Sequence, residues 1–299
     1  MKILSFGSMN IDNTYSVDEF VQPGETMTAK NLSKFCGGKG LNQSIALASA
    51  GADVAHFGCV GEDGDILLDM LKSRGVNTDS VIKIDNITSG HAIIQVDSHG
   101  QNSILLYPGA NRRMTPELID RELEKYSCGD WLLIQNETNC LEYIMRAANK
   151  KGMKIALNPS PMDGTVSTLP LELVDLFLVN EIEGAAVTGK EITEEITAEF
   201  EKLFPNAAVI LTLGKKGSVF KSEKDMLFQP SYCGTVKDTT GAGDTYTGFF
   251  IANYIKGVSP QECMRIAAMA STVQISRDGA AIAIPTKQEV LDALKNHCR

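Results

Sequence analysis

Short apolar segments rich in branched and aromatic residues recur along the chain, and each ends at polar or turn residues. They lie at residues 3–6, 54–59, 131–135, 154–157, 176–179 and 208–212. Continuous apolar runs of this length are typical of buried parallel strands. Longer stretches with helical spacing lie between them, at residues 42–50, 64–74, 141–151 and 194–203. This alternation predicts an α/β fold, a doubly wound and mostly parallel sheet with helices on both faces.

Two segments interrupt the alternation of strands and helices. Residues 12–35 and 90–107 have strand-type patterns with no helix between the strands. We interpret them as a small β-sheet lid inserted into one continuous domain, whose core comprises residues 1–11, 36–89 and 108–299. A lid built from insertions predicts a cleft between the lid and the core.

The composition is that of an ordinary globular protein, with 43% hydrophobic and 22% charged residues. The formal net charge is -9, and no run of lysine or arginine forms a basic patch. Because nucleic-acid binding requires a basic surface, we expect no nucleic-acid partner and a small substrate instead. The sequence starts directly with a strand pattern and contains no apolar run of membrane-spanning length, so we expect a cytoplasmic protein without membrane contact.

Neither the cysteines nor the histidines have the spacing of a metal site or a disulfide framework. The seven cysteines are predicted to be reduced and mostly buried: Cys36, Cys59, Cys128, Cys140, Cys233, Cys263 and Cys298. The four histidines are interpreted as structural or surface residues: His56, His91, His99 and His297.

A glycine-rich turn at residues 238–245 precedes an apolar, helix-like segment and carries the clearest chemical signal. Gly241, Ala242 and Gly243 would let backbone N–H groups surround an anion at the start of a helix. Asp244 directly follows them, where a carboxylate can take a proton from a substrate hydroxyl. On position alone, capping of the helix by Asp244 explains the motif equally well.

A second glycine cluster, residues 37–40, opens the helix predicted at residues 42–50. It is not a Walker A loop, because Lys39 is followed by glycine. Its glycines permit a ligand to approach the backbone closely, and Asn42 offers both a donor and an acceptor. An ordinary flexible turn is the alternative.

Asn10 and Asp12 follow the first predicted strand, at the sheet edge where open α/β folds bind ligands. A period of two directs both side chains to the same side, where an amide and a carboxylate suit the adjacent hydroxyls of a sugar. A local Asx-turn accounts for the pair equally well.

Later predicted strands also end in polar residues, at 135–137, 158–160 and 180–183. Asn180 and Glu183 lie three apart at a predicted helix start, so they suit a hydrated Mg²⁺ ion or a helix cap. The strand at residues 208–212 continues into a glycine and lysine turn at 213–218, which fits a nucleotide site or a plain hairpin.

Taken in order, these segments resemble the ribokinase/phosphofructokinase-B family of carbohydrate kinases, and within it the ribokinase branch. The resemblance runs nearly from end to end, through residues 7–12, 23–26, 37–43, 109–111, 157–161, 180–183, 212–214 and 238–248. It implies ATP-dependent phosphorylation of a small sugar on its hydroxymethyl group, with D-ribose to ribose 5-phosphate preferred. It also implies Mg²⁺, activation by K⁺, and a homodimer formed through the β lid. A deoxyribose, nucleoside or other sugar kinase of the same family is the alternative.

The resemblance also implies roles for individual residues. The base would be Asp244, and the anion hole would be formed by Gly241, Ala242 and Gly243. The sugar would be held by Asn10, Asp12, Gly38, Lys39, Asn42, Glu137 and Asp244. Mg-ATP would be bound by Asn180, Glu183, Thr212, Leu213, Gly214, Lys215, Lys216, Gly217, Gly243 and Ala268. A monovalent-cation loop would be formed by Asp238, Thr240, Gln274, Arg277, Gly279 and Ala283.

Four residues depart from the family pattern, namely Leu41, His91, Arg112 and Arg113. They are expected near the place where the lid would close over the sugar, so the sequence defines the kinase chemistry better than the sugar. Two hypotheses lie outside this class. The intact Asp244 motif argues against a non-catalytic sugar-binding protein, and the missing G-x-G-x-x-G argues against a nicotinamide oxidoreductase.

Overall fold

A computed structural model of the chain describes residues 1–297, which form two β-sheets and a set of flanking helices. The strands are β1 (Ile3–Phe6), β2 (Asn10–Ser16), β3 (Asn31–Gly37), β4 (Val54–Val60), β5 (Val81–Lys83), β6 (Gly90–Val96), β7 (Asn102–Tyr107), β8 (Trp131–Gln135), β9 (Lys154–Asn158), β10 (Leu176–Asn180), β11 (Ala208–Thr212), β12 (Ser218–Lys221) and β13 (Met226–Gln229). The helices are α1 (Lys39–Ser49), α2 (Asp65–Ser73), α3 (Pro116–Leu123), α4 (Leu141–Lys150), α5 (Glu181–Thr188), α6 (Thr193–Leu203), α7 (Ala242–Tyr254), α8 (Pro260–Ile275) and α9 (Lys287–His297).

The larger sheet has nine strands in the order β13, β12, β11, β10, β9, β8, β1, β4, β5. Pairing is parallel from β5 to β11, and β12 and β13 extend one edge in antiparallel orientation. All six strands predicted from apolar runs lie in this sheet, and each agrees with its predicted bounds to within one residue. The predicted mostly parallel sheet is therefore confirmed.

The larger sheet separates two apolar layers. Successive residues of a strand point to opposite faces, so on β1 the side chain of Ile3 joins one layer and that of Leu4 joins the other. Helices α1, α2, α7, α8 and α9 contribute to the layer on the Ile3 side, and α3 to α6 contribute to the layer on the Leu4 side. This arrangement confirms the doubly wound α/β class.

The smaller sheet has four strands in the order β3, β2, β6, β7. Strand β2 is antiparallel to β3 and parallel to β6, and β6 is antiparallel to β7. Its strands extend slightly beyond the predicted lid segments, because Asn10 already pairs with Gly37 and Gly90. Asn10 and Asp12 therefore belong to this sheet and not to the end of β1. The division of the chain into a core and an inserted lid stays a prediction.

Residues 1–297 include no helix of membrane-spanning type and contain six of the seven cysteines. None of the helices in this part of the chain is long and apolar enough to cross a bilayer. Among the cysteines, Cys36, Cys59 and Cys263 are buried, but Cys128 and Cys233 are exposed, so the prediction of mostly buried thiols is wrong for these two. Cys298 lies outside the described residues.

Helices α1 and α7 pack against each other at very short range. A Cβ atom added to Gly248 of α7 would lie 2.3 Å from the Ala46 Cβ and 2.7 Å from the Leu47 backbone nitrogen of α1. Any larger residue would have to push the two helices apart. The contact aligns their N-terminal turns, with Asn42 of α1 beside Asp244 of α7.

Candidate active site

The N-terminal turns of α1 and α7 meet the carboxyl ends of β9, β10 and β11 in an open cleft of about 390 Å³. This is the edge at which open α/β sheets bind ligands. The cleft is lined by Lys39, Asn158, Leu178, Val179, Asn180, Glu183, Ile210, Thr212, Gly243, Asp244, Tyr246 and Thr247. It therefore brings the candidate base together with four candidate Mg-ATP residues, namely Asn180, Glu183, Thr212 and Gly243.

The carboxylate of Asp244 is buried in the first turn of α7, with only 6% of the residue exposed. Gln43 Nε2 donates to its Oδ1 at 2.9 Å, and Asn42 Nδ2 donates to its Oδ2 at 3.1 Å. The ammonium group of Lys39 lies 3.9 Å from Oδ1. These donors stabilise a buried negative charge that would otherwise be very costly.

The alternative that Asp244 caps α7 is wrong. The N-cap is Gly241, whose φ of 77° favours glycine, and none of the described side chains caps the helix. The Ala242 N–H donates to the Thr239 carbonyl at 3.2 Å, whereas the Gly243 N–H has no hydrogen-bond partner within residues 1–297. Apart from the adjoining residues of α7, no atom of residues 1–297 lies within 4 Å of a Cβ position at Gly243. The positive end of the helix dipole is thus open to an anion at Gly243.

The glycine cluster at residues 37–40 becomes the start of α1, three residues earlier than predicted, with Gly38 as its N-cap. The backbone N–H of Lys39 donates to Glu137 Oε2 at 2.9 Å, and Ser8 Oγ donates to the same oxygen. Burial raises the pKa of Glu137. Burial alone would lower the pKa of Lys39, but the neighbouring carboxylates of Asp244, Glu137 and Glu183 outweigh it and raise that pKa.

Asn10 and Asp12 lie on one face of β2, as the period of two predicts, and their extended backbone rules out the Asx-turn alternative. Asn10 Oδ1 accepts a hydrogen bond of 2.8 Å from Asn111 Nδ2, and Asn111 also binds the Met9 backbone. Burial, together with the nearby charge of Glu137, raises the pKa of Asp12 to about 6.

Asn42 has one further property that suits a ligand contact. Its Oδ1 atom is buried and has no hydrogen-bond partner in the described part of the chain. A buried amide oxygen is normally bonded. A ligand hydroxyl next to Asp244 would satisfy it.

Asn180 and Glu183 form a capping box, because each side chain bonds the backbone N–H of the other, at 2.8 and 3.0 Å. The capping interpretation is therefore confirmed, although both residues also line the cleft. The predicted hairpin is confirmed too, since β11 and β12 pair in antiparallel orientation. Thr212 lines the cleft, and the turn after it contains Gly214, Lys215, Lys216 and Gly217. Leu213 and Ala268 are buried in the apolar layers.

The candidate cation loop is held together at Asp238. Its carboxylate accepts hydrogen bonds from the backbone N–H groups of Thr240 (2.9 Å) and Gly279 (3.0 Å). Burial would raise the pKa of Asp238, but these bonds outweigh burial and lower it. The Gln274 amide donates to the carbonyls of the same two residues, at 2.6 and 3.3 Å. Arg277 lies further along the loop and donates to the Ala283 carbonyl at 3.5 Å.

The residues that depart from the family pattern lie in different environments. Leu41 is completely buried. His91 lies on the opposite face of the smaller sheet from Asp12, because the two positions differ by one in the register, and its ring contacts Tyr107 at 5.1 Å. Arg112 and Arg113 are exposed. His91 is thus a poor candidate for a contact with a ligand at Asp12.

Three side chains of the site were given no role by the sequence. Gln43 binds Asp244, Ser8 binds Glu137, and Asn111 binds Asn10. Each lies within or next to a segment that the sequence singled out. Their partners are about 100 to 200 residues away, so no local pattern shows these contacts.

The chain is similar along nearly its whole length to carbohydrate kinases. Residues 1–287 match the model of the pfkB family carbohydrate kinases. The chain is 34% identical to the ribokinase of Haemophilus influenzae and 30% identical to the deoxyribokinase of Salmonella typhi, in each case over 97% of both chains. Among solved structures it is similar to Arabidopsis thaliana ribokinase complexed with ribose and ATP, with a TM-score of 0.86 and 30% identity over 98% of both chains.

Replacing Asp12 by asparagine is expected to stabilise the unliganded protein at neutral pH. A carboxyl group whose pKa is raised in the folded state stabilises the protein at low pH, where the group is protonated. This contribution is lost as the pH rises from the pKa of Asp12 in the unfolded chain through about 6, its pKa in the folded state. Asp12→Asn should therefore raise the free energy of unfolding at pH 8 by about 1–3 kcal/mol, with no such gain below pH ~4. Urea unfolding at several pH values measures this difference.

The matched control is Asp69→Asn, at an exposed position on α2. Because Asp69 is exposed, its replacement should change the free energy of unfolding at pH 8 much less than Asp12→Asn does. A gain for Asp12→Asn that is equally large at pH 4 and pH 8 would contradict the assignment.

Proposed function

The chain belongs to the pfkB family of carbohydrate kinases, and we propose that it phosphorylates D-ribose on its 5-hydroxymethyl group to give ribose 5-phosphate. As a member of this family it is a phosphotransferase that uses ATP and a small sugar. The observation that carries the proposal is the Asp244 carboxylate, held by Asn42 and Gln43 beside the open first turn of α7. A deoxyribose kinase is the second candidate, supported by the deoxyribokinase of comparable similarity.

In the proposed mechanism Asp244 accepts the proton of the sugar hydroxymethyl group as the hydroxymethyl oxygen attacks the terminal phosphorus of ATP. The bond between this phosphorus and the bridging oxygen breaks, and ADP leaves with the electron pair. The Gly243 N–H and the dipole of α7 stabilise the negative charge on the phosphoryl group in transit. Asn10, Asp12 and Asn42 are proposed to hold the sugar hydroxyls. An ionised Asp12 can accept hydrogen bonds from hydroxyls at both oxygens, so its raised pKa predicts weaker sugar binding below pH ~6.

We propose Mg²⁺ and K⁺ as the cations of the reaction. Mg²⁺ retains most of its waters and needs few protein oxygens, so Glu183 at the cleft suits a hydrated ion that neutralises phosphate charge. The carboxylate of Asp238 and the nearby carbonyls of Thr240 and Gly279 are oxygen donors of the kind that K⁺ takes. The Ala283 carbonyl fits less well, because it faces the guanidinium group of Arg277.

We further propose that the smaller sheet joins two copies of the chain. Phe35 and Leu106 pair through the register with Asp12 and Ala92, so they lie on the face that carries Asp12, and Ile104 lies on the same face. These three apolar side chains are 41%, 46% and 57% exposed. A second copy would cover them and would close the sugar site from above.

A cytoplasmic location is proposed as well, because the reaction consumes ATP and the described cysteines are free thiols. Fractionation of cells would test it.

An assay of ADP release tests the proposed activity directly. With Mg-ATP we expect D-ribose to be the best substrate, ahead of deoxyribose, hexoses and nucleosides. Asp244→Asn should fold and bind ATP but lose at least about 100-fold in turnover, because it removes the proton acceptor. Turnover close to that of the parent would exclude Asp244 as the base, and faster turnover of deoxyribose would favour the second candidate.

Cation dependence tests the two metal assignments in the same assay. Exchanging K⁺ for Na⁺ at constant ionic strength should lower kcat, and Asp238→Asn should abolish the difference. Glu183→Gln should raise the Mg²⁺ concentration needed for half-maximal rate, since glutamine preserves the capping bond but removes the charge. Equal rates in K⁺ and Na⁺ would refute the cation loop.

Sedimentation tests the dimer. The molar mass of the parent from sedimentation equilibrium should be twice the 32.3 kDa of one chain. Leu106→Lys should give monomers and a higher KM for the sugar, because it places a charge in the covered face. Leu105→Lys is the matched control, since Leu105 is 67% exposed but points to the opposite face. A monomeric parent, or equal effects of both variants, would refute this interface.

A further inference from the structure

Gln43 lies where the polar side chains beneath α1 meet. It is completely buried, and both N–H groups and the oxygen of its amide are hydrogen-bonded. Nε2 donates to Asp244 Oδ1 at 2.9 Å and to Asn158 Oδ1 at 3.0 Å. Oε1 accepts from Gln135 Nε2 at 2.7 Å. A glutamine with three buried partners cannot rotate without leaving at least one of them unsatisfied.

The charge of Asp244 sets the direction of this network. An ionised carboxylate only accepts hydrogen bonds, so the nitrogen of Gln43 must face it and the oxygen must face Gln135. The second N–H of Gln43 then requires the oxygen of Asn158. The nitrogen of Asn158 is consequently turned toward the Leu178 carbonyl (2.9 Å) and Glu183 Oε2 (3.5 Å). Two amides thus connect the candidate base with the carboxylate on the nucleotide side of the cleft.

We propose that Gln43 is a positioning residue for phosphoryl transfer, which fixes the rotation of the Asp244 carboxylate so that one oxygen is aimed at the sugar hydroxyl. The inference rests on the proposed function, in which Asp244 is the base. Asn42 and Gln43 follow each other on α1 and bind different oxygens of Asp244. Together they leave the carboxylate one orientation, and proton transfer depends on this alignment.

The charged groups around Asp244 do not replace Gln43 in this role. Lys39 of α1 approaches Oδ1 only to 3.9 Å, beyond hydrogen-bond distance. Glu137, which follows β8, carries a like charge that interacts with Asp244 at longer range. The neutral amide of Gln43 is therefore the group that bonds Oδ1 directly and favours the ionised carboxylate.

The first test compares Gln43→Met with Gln135→Met. Both substitutions remove a buried amide of similar size from the same network, but Gln135 does not contact Asp244. For Gln43→Met we expect kcat to fall about 10- to 100-fold with a less than threefold change in sugar KM. The acid limb of its kcat–pH profile should move up by about one pH unit, because the Asp244 carboxylate loses a hydrogen-bond donor.

The control, Gln135→Met, should retain the acid limb of the parent and most of its kcat. Equal losses in both variants, or an unmoved acid limb in Gln43→Met, would overturn the proposal.

Circular dichroism and thermal unfolding show whether Gln43→Met folds. If it does not, Gln43→Glu tests the same role of Gln43 in positioning the Asp244 carboxylate. When protonated, the new carboxyl group can still donate to Asp244 and accept from Gln135. When ionised, it repels Asp244. Its kcat should therefore decline as pH rises, with an alkaline limb that the parent lacks. A kcat–pH profile parallel to that of the parent would overturn the inference.

Asp244→Asn shows whether the role of Gln43 or the role of Asp244 as the base is wrong. If Asp244→Asn is inactive and the Gln43 variants behave like the parent, only the role of Gln43 is refuted.

Discussion

A carboxylate held away from water between two helices constrains the arrangement of the rest of the site. Asp244 lies in the first turn of α7, and its charge is stabilised by two consecutive amides near the N-terminus of α1. These bonds require the two N-terminal turns to lie side by side. Gly248 permits it, because a larger residue would collide with Ala46 one turn further along. Packing in the apolar layer and solvation of the charge therefore depend on the same helix contact.

The polar network beneath α1 gives the cleft its rigidity. Asp244 and Glu183 lie on different helices, yet both carboxylates are bonded to amides that continue from Gln43 to Asn158. A network in which most members are satisfied permits few side-chain orientations. The buried Oδ1 of Asn42 and Oε1 of Gln135 are exceptions, since neither has a partner in the described part of the chain. An unsatisfied acceptor beside a positioned base is understandable where a substrate hydroxyl completes the network.

The smaller sheet is attached to this core through a few specific contacts. Asn111 binds both the Met9 backbone and the side chain of Asn10, so it fixes the start of β2 against the larger sheet. From the buried Asn10, β2 leads outward to the half-buried Asp12, on a face where the neighbouring strands expose Phe35, Leu106 and Ile104. Asp12 lies close to the anchored end, and burial there raises its pKa to about 6. The Asp12 carboxylate at this position favours binding of hydroxyls, but it lowers the free energy of unfolding of the unliganded protein at neutral pH.

The sequence by itself determined the elements whose signals are local. Apolar runs defined six strands of the larger sheet to within one residue, because burial on both faces of a parallel sheet requires apolar side chains at successive positions. The glycine turn before Asp244 and the capping box at Asn180 were also visible, because each of these signals lies within a few residues, although the sequence left their functions open.

Only the tertiary structure decided between those alternatives, since Asn42 lies 202 positions from the carboxylate it binds. The register of the smaller sheet likewise decided that His91 faces away from Asp12, because a shift of one position reverses the face of a strand. Contacts between distant segments leave no periodic pattern in the chain, so only the folded arrangement could define the site.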